Sequence, residues 1–491
     1  MKNQPLPKIV IALLCFILFA QSIKAQDANY WSSSYNPAGL LTPGAVIALN
    51  RDSGVMFFNP ALLGYNTKNS ASISGTIYQL SQVHVKNGAG AGLDMNSTST
   101  NIIPQMVSAT ISFNKGSHPF TIGYALTHDQ FMNYQANQQR DGKLNVLSDT
   151  YSPGDEYYLG QIANQNSSSQ TGGLISGGVK ISDQLALGLT AEADLHKQTY
   201  STAYSARAIF NATDDELGEP PFANSEYSYL ANYYTLGLKF KAGLAYNLDK
   251  SHLGLTVTSP LLNIYGRANI LSDNVINNLI ETEGGIQDTL HVLANSRQQS
   301  LKAKYKMPLS IGAGYAYDLK KGQIFFSTEY FLKVNQYNII TPKAQTYIRG
   351  VGQEDEAIYT PEFLRFADVR KSVINFGVGA SYLLEPDLTG FLSLYTDFNN
   401  INKNAFNNDF VGTSPYTSYY NVYHCQTGIN IKKRKFNFRA GLILAYGSTN
   451  KYMQTVNFDH PNEDNFLIGD PANTHESQFV AGLMFSYIHN L

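Results

Sequence analysis

Five basic side chains occupy alternating positions in short apolar segments, where they could bind a carboxylate anion. They are Lys239, Lys241, Lys333, Lys432 and Arg439. A carboxylate ligand with an apolar tail needs one or two such cations beside an apolar pocket. Lys239 and Arg439 are the best candidates, because the small residues beside them leave room for a ligand. Alternatively, the cations pair with acidic residues of similar segments, or they fix another part of the chain. Those acidic residues are Glu192, Asp194, Glu329 and Asp397.

The sequence carries no signature of catalysis. It contains no Gly-x-Ser-x-Gly, no His-Glu-x-x-His and no phosphate-binding Walker loop. The glycine-rich run 88–92 is not followed by a helical pattern and is predicted to be a loop tip. The ten histidines show no metal-ligand spacing. We therefore expect a protein that is not an enzyme and that uses no cofactor and no metal; an outer-membrane lipase or protease is the least favoured function.

The segments that carry these residues alternate apolar and polar residues with a period of two. Residues 69–491 divide into fourteen such segments, and very short breaks follow every second one. The short breaks are Asn114–His118, Ser182–Asp183, Asp249–Lys250, Lys320–Lys321, Glu385–Asp387 and Lys433–Lys435. The other breaks are much longer. Tight turns on one side and long loops on the other are typical of a transmembrane β-barrel.

The two faces of each segment fit a barrel wall. In residues 185–196, every second residue is Leu or Ala, and the opposite face carries polar residues such as Thr190 and Glu192. Each segment spans roughly 10 residues, which is the length that a tilted strand needs to cross a membrane. An aromatic girdle is predicted near the short turns. Its members are Tyr246, Tyr317, Tyr382 and Tyr487. A soluble β-sandwich is the alternative, but it would not keep the asymmetry between turns and loops.

The amino-terminal residues predict export. Lys2 and Lys8 precede an apolar run, Ile9–Ala20, that is too short to span a bilayer as a helix, and Ala25 ends a cleavage site. We expect a signal peptide at 1–25, a hatch at 26–68 and a barrel at 69–491, in the outer membrane of a Gram-negative bacterium. The expected partners are outer-membrane lipid and, during biogenesis, the barrel-assembly machinery, which typically recognises a final strand ending in an aromatic residue. The final strand here carries Tyr487, but the terminal residue is Leu491, which departs from that pattern. The mild acidity of the mature chain argues against nucleic acid as a partner.

Residues 26–68 do not alternate, and they contain enough apolar material to pack inside a barrel mouth but not to fold alone. The run Gly44–Gly64, which contains Asn59-Pro60-Ala61, resembles the hatch of the long-chain fatty-acid transporter (FadL-type) family of outer-membrane barrels. Residues 243–249, 254–260 and 307–315 are similar to further strands of that family. The resemblance implies an all-β fold, a membrane β-barrel of 14 antiparallel strands with an N-terminal hatch inside the lumen.

The resemblance also implies passive uptake of hydrophobic molecules such as long-chain fatty acids. Ligand would be captured by the outer loops, enter a lumen pocket and leave sideways near a kinked third strand. Asn59, Pro60 and Ala61 would form a hatch gate, although Asn and Pro are also ordinary turn residues. Phe325 and Phe331 would line the pocket or pack against the hatch.

Two outer segments carry further predictions. Residues 274–297 place apolar residues at helical spacing, and Thr360-Pro361 begins a second predicted helix with Phe363, Leu364 and Phe366. These three apolar residues form a capture site or cover the barrel mouth as a small core. The long loops 134–170 and 338–370 also fit an alternative function, in which some relatives of this barrel serve as docking or assembly components of a secretion or surface-attachment machine.

Overall fold

The computed structural model describes residues 29–31, 45–49, 54–66, 68–113, 118–211, 221–283, 286–345, 347, 363–401, 412–415 and 420–491. The predicted signal peptide and residues 360–362 of the second predicted helix lie outside these ranges. Within the described residues, no helix is long and apolar enough to cross a membrane.

Eighteen strands and three short helices are present in the described chain. The helices are α1 (Ala45–Ala48), α2 (Val55–Phe58) and a 3₁₀ helix (Pro60–Tyr65). The strands are β1 (Ser70–Val85), β2 (Met95–Phe113), β3 (Phe120–Leu144), β4 (Glu156–Lys180), β5 (Leu185–Ile209), β6 (Phe222–Leu248), β7 (Ser251–Thr258), β8 (Leu262–Glu283), β9 (Ile286–Lys302), β10 (Ser310–Leu319), β11 (Gly322–Phe331), β12 (Val334–Ile340), β13 (Phe366–Arg370), β14 (Val373–Glu385), β15 (Leu388–Asp397), β16 (Val422–Lys432), β17 (Phe436–Met453) and β18 (Asn473–Asn490).

Fourteen of these strands form a closed antiparallel ring, as the sequence predicts. The ring runs β1 to β7, then β10, β11 and β14 to β18, and β18 pairs with β1. β6 is long enough to pair with β7 along one half and with β8 along the other. β8 therefore continues the line of β7 and β9 continues that of β10, beyond the fourteen-strand ring. β12 and β13 pair with each other in a small second sheet.

Five of the six predicted short turns are where the sequence places them, and the other, Asn114–His118, lies almost wholly outside the described residues. Asp249–Lys250 and Lys320–Lys321 are the whole connections between their strands. The predicted strand length of roughly 10 residues is wrong. At the end of the barrel opposite the short turns the strands extend much further, so that β3, β4 and β5 each have 25 residues and β6 has 27. Much of the predicted long loops is therefore strand. We call the two ends of the barrel the short-turn end and the long-loop end.

The predicted helix at 274–297 is wrong. This segment belongs to β8 and β9, which form a hairpin. β8 also pairs with β6 from Leu262 to Asn277. The two halves of the segment pair with each other from Asn274–Ala294 to Glu283–Ile286, and β6 adds pairing only up to Asn277. This cross-strand pairing overrides a local helical spacing.

The predicted inner and outer faces of the wall are confirmed. On β5, Leu187 and Leu189 are exposed, whereas Thr190, Glu192 and Asp194 are buried. The same contrast runs along β17, where apolar side chains from Phe438 to Tyr446 are exposed. An outer surface this apolar would be unstable in water and is stable in lipid.

The interior is filled differently at the two ends. At the short-turn end, α2 and the 3₁₀ helix pack against the inner faces of β3, β4, β5 and β6. At the long-loop end, two apolar clusters of the extended strands cover the mouth. The first is built around Tyr134, Tyr158 and Phe458, and the second around Tyr229 and Phe366.

Candidate functional site: hatch, lumen cavity and wall window

Asn59 fixes the hatch to itself and to the wall. Its buried side-chain amide donates to the Ile47 carbonyl at 2.7 Å and to the Leu244 carbonyl of β6 at 3.1 Å. Its Oδ1 accepts from the Ala61 backbone N–H at 3.1 Å and caps the 3₁₀ helix, where Pro60 occupies the first turn. Asn59, Pro60 and Ala61 therefore join α1, the 3₁₀ helix and the wall, and their gating role stays a prediction.

A row of three glycines provides the seat for Pro60. Gly178, Gly188 and Gly243 are paired across β4, β5 and β6, so they lie side by side on the inner face. A β-carbon at Gly178 would lie 2.6 Å from the Pro60 carbonyl oxygen, and one at Gly188 or Gly243 would overlap the Asn59–Pro60 segment. Close approach of the hatch backbone to the wall therefore requires glycine here.

Lys239 lies in a buried ion-pair network. Its ammonium is 3.2 Å from Glu192 and 2.9 Å from Asp194. Lys241 donates to the Phe57 carbonyl of the hatch and lies 4.9 Å from the centre of the Phe57 ring. The structure thus gives both lysines the partners that the sequence offered as the alternative to ligand binding. Their ligand-binding role stays a prediction.

The other predicted ligand residues are dispersed. Arg439 donates to Asn430 at 3.1 Å, close to the short-turn end. Lys333 and Lys432 are exposed. Phe325 packs against Ala48 and Leu49 of the hatch, and Phe331 stacks on Tyr30 with 4.2 Å between ring centres. The structure does not bring these residues together in one pocket.

A second piece of the hatch, Asn29–Trp31, is held by two acidic residues. Asp397 Oδ1 accepts from the backbone N–H groups of Tyr30 and Trp31 at 3.1 and 2.9 Å, and from Asn375. Glu329 accepts from the Trp31 indole N–H at 2.7 Å. From the sequence, the only role predicted for Glu329 and Asp397 is to pair with basic side chains. The sole tryptophan of the chain was the one signal that could have pointed to this contact.

A lumen cavity lies beside Asn29–Trp31. Its volume is about 80 Å³, which is too small for a long-chain ligand without movement of its walls. Strands β1 to β3 form one side and β15 to β18 the other. The lining is Asn29, Gln79, Ser81, Val83, Ser99, Asn101, Gln105, Asp129, Gln130, Phe131, Met132, Asn133, Tyr395, Asp397, Val422, His424, Ile443, Ala445, Gln478 and Val480.

The cavity reaches an interruption of the wall between β2 and β3. The two strands pair from Phe113–Phe120 up to Met106–Thr127, and no further backbone pairing joins them over their described lengths. Above the break, the Gln135 N–H donates to Ser97 Oγ at 2.9 Å. We call the opening between these two links the β2–β3 window. β3 bulges at Phe131, within the window.

The predicted capture residues divide into two groups. Leu364 and Phe366 are fully buried in the cluster around Tyr229, whereas Phe363 is 38% exposed. Phe366 packs against Tyr200, Tyr229 and Tyr233. Leu364 and Phe366 therefore cover the mouth as a small core, which is one of the two alternatives from the sequence. Phe363 stacks on Tyr347 with 6.1 Å between ring centres, and its role in capture stays a prediction.

Comparison with known proteins shows the fold. No protein-family model matches the chain, and no curated protein matches it. The toluene transporter TodX of Pseudomonas putida superposes with a TM-score of 0.54 at 11% identity, over 96% of this chain and 100% of that chain. A FadL homologue of Pseudomonas aeruginosa superposes with a TM-score of 0.52 at 11% identity, over 96% of this chain and 99% of that chain.

The protein is thus a fourteen-strand antiparallel membrane β-barrel. More particularly, its fold is the FadL-type fold, and the resemblance seen in the sequence is confirmed at that level.

Proposed function

We propose that this barrel mediates passive uptake of hydrophobic small molecules across the outer membrane of a Gram-negative bacterium. One observation carries the proposal: the lumen cavity and the β2–β3 window share lining residues, namely Ser99, Asn101 and Gln105 on β2 and Asp129–Asn133 on β3. A molecule in the cavity therefore lies beside an opening in the wall.

Lateral release suits an apolar cargo. Moving an apolar chain into water costs about 0.8 kcal/mol per CH₂ group, and a path through the wall into lipid avoids that cost. The hatch, which packs on β3 to β6 at the short-turn end, obstructs the straight path. The superposed structures are named as a toluene transporter and a FadL homologue, which agrees with a hydrophobic cargo.

Capture would take place at the long-loop end. There Phe363 is partly exposed beside the covered mouth. The sequence also predicts fatty acids as cargo, with Lys239 and Arg439 as the carboxylate partners. Both residues have partners of their own within the barrel, so the chemistry of the cargo's polar end is a separate question.

Blocking the window tests the proposal. The double variant Ser99→Trp and Asn101→Trp places two large rings in the opening, and uptake of labelled toluene and labelled oleate into cells is measured at matched outer-membrane protein levels. Leu392→Trp is the control, because this exposed residue of β15 faces lipid away from the window. We expect uptake to fall about fivefold or more in the double variant only. Unchanged uptake would exclude lateral release through the window.

A docking or assembly role is the second candidate. Strands β3 to β6 are more than twice as long as the roughly 10 residues that a membrane requires, so they project as an extended sheet at the long-loop end. Lipid vesicles that contain only this purified chain separate the two functions. Uptake faster than that of protein-free vesicles requires no partner and supports transport, whereas uptake no faster than theirs favours docking.

A further inference from the structure

The lumen cavity is lined with hydrogen-bonding groups but contains no cation. Among the described lining residues there is no Lys and no Arg, whereas Asp129 and Asp397 supply two carboxyl groups. The strongest candidates for a carboxylate partner are engaged elsewhere. Lys239 pairs with Glu192 and Asp194, and Arg439 donates to Asn430. Lys241 donates to the hatch. A ligand carboxylate in the cavity would therefore be desolvated without a counter-charge, which is unfavourable.

Several lining residues carry acceptor atoms without a hydrogen-bond partner in the described chain. They are Gln105 Oε1, Asp397 Oδ2 and Asn29 Oδ1. His424 Nε2, which accepts or donates according to the tautomer of its ring, also has no partner there. Gln105, Asp397 and His424 are each more than nine-tenths buried. Buried acceptors of this kind require donors, since an unpaired polar group is costly in a medium of low polarity. The donors could come from the polar end of a ligand.

The remaining lining would accommodate an apolar body. Val422, Ile443 and Val480 line the same cavity, and the His424 ring stacks on Tyr395 with 4.3 Å between ring centres and 4° between planes. On the window side, Phe131 and Met132 are also lining residues. The cavity thus combines hydrogen-bond acceptors with apolar lining residues, which lie on β16 to β18 and, beside the window, at Phe131 and Met132.

We infer that the cavity selects hydrophobic molecules whose polar end donates hydrogen bonds and carries no negative charge, such as medium-chain alcohols or primary amides, and that it discriminates against carboxylates. This inference rests on the proposed function, because it specifies the cargo of the same cavity.

The fluorescence of Trp31 can be used to measure ligand binding in the cavity. It is the only tryptophan of the chain, its backbone N–H donates to Asp397, and its ring centre lies 6.3 Å from that of Tyr395. Purified full-length protein in detergent is titrated with 1-octanol, octanamide and octanoate at pH 8, and the tryptophan fluorescence is recorded. We expect octanol and octanamide to bind about tenfold or more tightly than octanoate. Octanoate binding that is equal or tighter overturns the inference.

Two variants of cavity residues and one control outside the cavity test whether the fluorescence change arises from binding in the cavity. Asp397→Asn keeps the oxygen that accepts from Tyr30 and Trp31 but removes the charge, so the preference against octanoate should shrink to about threefold or less. Asp318→Asn, at a carboxylate outside the cavity lining, should leave it unchanged. Ala445→Phe fills the cavity and should abolish the octanol signal; a signal that persists arises from the detergent micelle and overturns the inference.

The binding titration and the uptake measurements can fail independently of each other. If octanol binds selectively but cells and vesicles show no uptake, the transport proposal fails and the ligand preference stands. If the window variant abolishes uptake but octanoate is the preferred ligand, transport stands and the ligand preference fails.

Discussion

The backbone of Gly188 lies directly beneath Pro60, so close that a β-carbon at position 188 would overlap the Pro60 carbonyl carbon. At this position the hatch is therefore seated by direct contact between backbones. This seat is continuous with Gly178 and Gly243 on the neighbouring strands.

Gly188→Val should dislodge the hatch. The added side chain meets backbone atoms that cannot rotate away, so we expect a loss of about 1–3 kcal/mol in stability, together with increased ion conductance in planar bilayers. Gly177→Val is the matched control, because a β-carbon there meets nothing within 4 Å. Equal conductance of the two variants would show that the glycine row does not seat the hatch.

Asn59→Asp tests the hydrogen bonds of the hatch. Aspartate retains the oxygen that accepts from Ala61, but an ionised carboxylate cannot donate to the carbonyls of Ile47 and Leu244. We expect the hatch of Asn59→Asp to become sensitive to protease in membrane vesicles while the barrel stays folded, as judged by heat-modifiable migration in gels. Wild-type protease resistance would mean that these two bonds are dispensable.

Lys239→Met tests whether Lys239 stabilises the fold or binds ligand, and we expect it to stabilise the fold. It leaves Glu192 and Asp194 buried without their cation, and breaking such a network costs about 3–5 kcal/mol. We expect a lower unfolding temperature and equal loss of uptake for neutral and carboxylate probes. The triple variant Lys239→Met, Glu192→Gln, Asp194→Asn should recover most of the stability. A selective loss of carboxylate uptake would instead support the ligand-binding prediction.

The sequence predicted the barrel because its signals are local. Alternation with a period of two and two-residue turns such as Asp249–Lys250 can be read without knowledge of distant residues. The upper part of β4 could not be read in this way, since residues 161–170 are nearly all polar and show no alternation. Its strand conformation comes from pairing with β3 and β5.

The site was less predictable than the fold, because its features depend on non-local contacts. The acceptor of the Trp31 indole lies on β11, and the window is an absence of pairing between β2 and β3. The sequence drew attention to Asn59-Pro60-Ala61, but it could not place this segment on the glycine row.

Phe366→Ala and Phe363→Ala should have different effects. Phe366 is fully buried among tyrosines, so its truncation should cost about 3–5 kcal/mol locally and increase hydrogen exchange in β12 and β13. Phe363 is partly exposed, so its truncation should leave exchange unchanged and lower the rate of uptake at low probe concentration. If both variants behave alike, then Phe366 and Phe363 do not have separate roles in covering the mouth and in capturing ligand.

Deletion of Phe131 should close the β2–β3 window. Phe131 is the extra residue at which the β3–β4 register shifts between Gln130 and Met132, and such a bulge bends its strand away from regular pairing. Without it, β3 can continue its ladder with β2 beyond Met106–Thr127, and we expect uptake of hydrophobic probes to fall about fivefold or more while the barrel remains folded.

Phe131→Ala is the matched control for this deletion. It removes the ring but keeps the extra residue, so the window should persist and uptake should stay close to the wild-type level. Hydrogen exchange of the β2 amides between Ser97 and Gln105 reports closure directly, because new pairing with β3 would slow it. Slowed exchange with undiminished uptake would show that cargo leaves the lumen by another route.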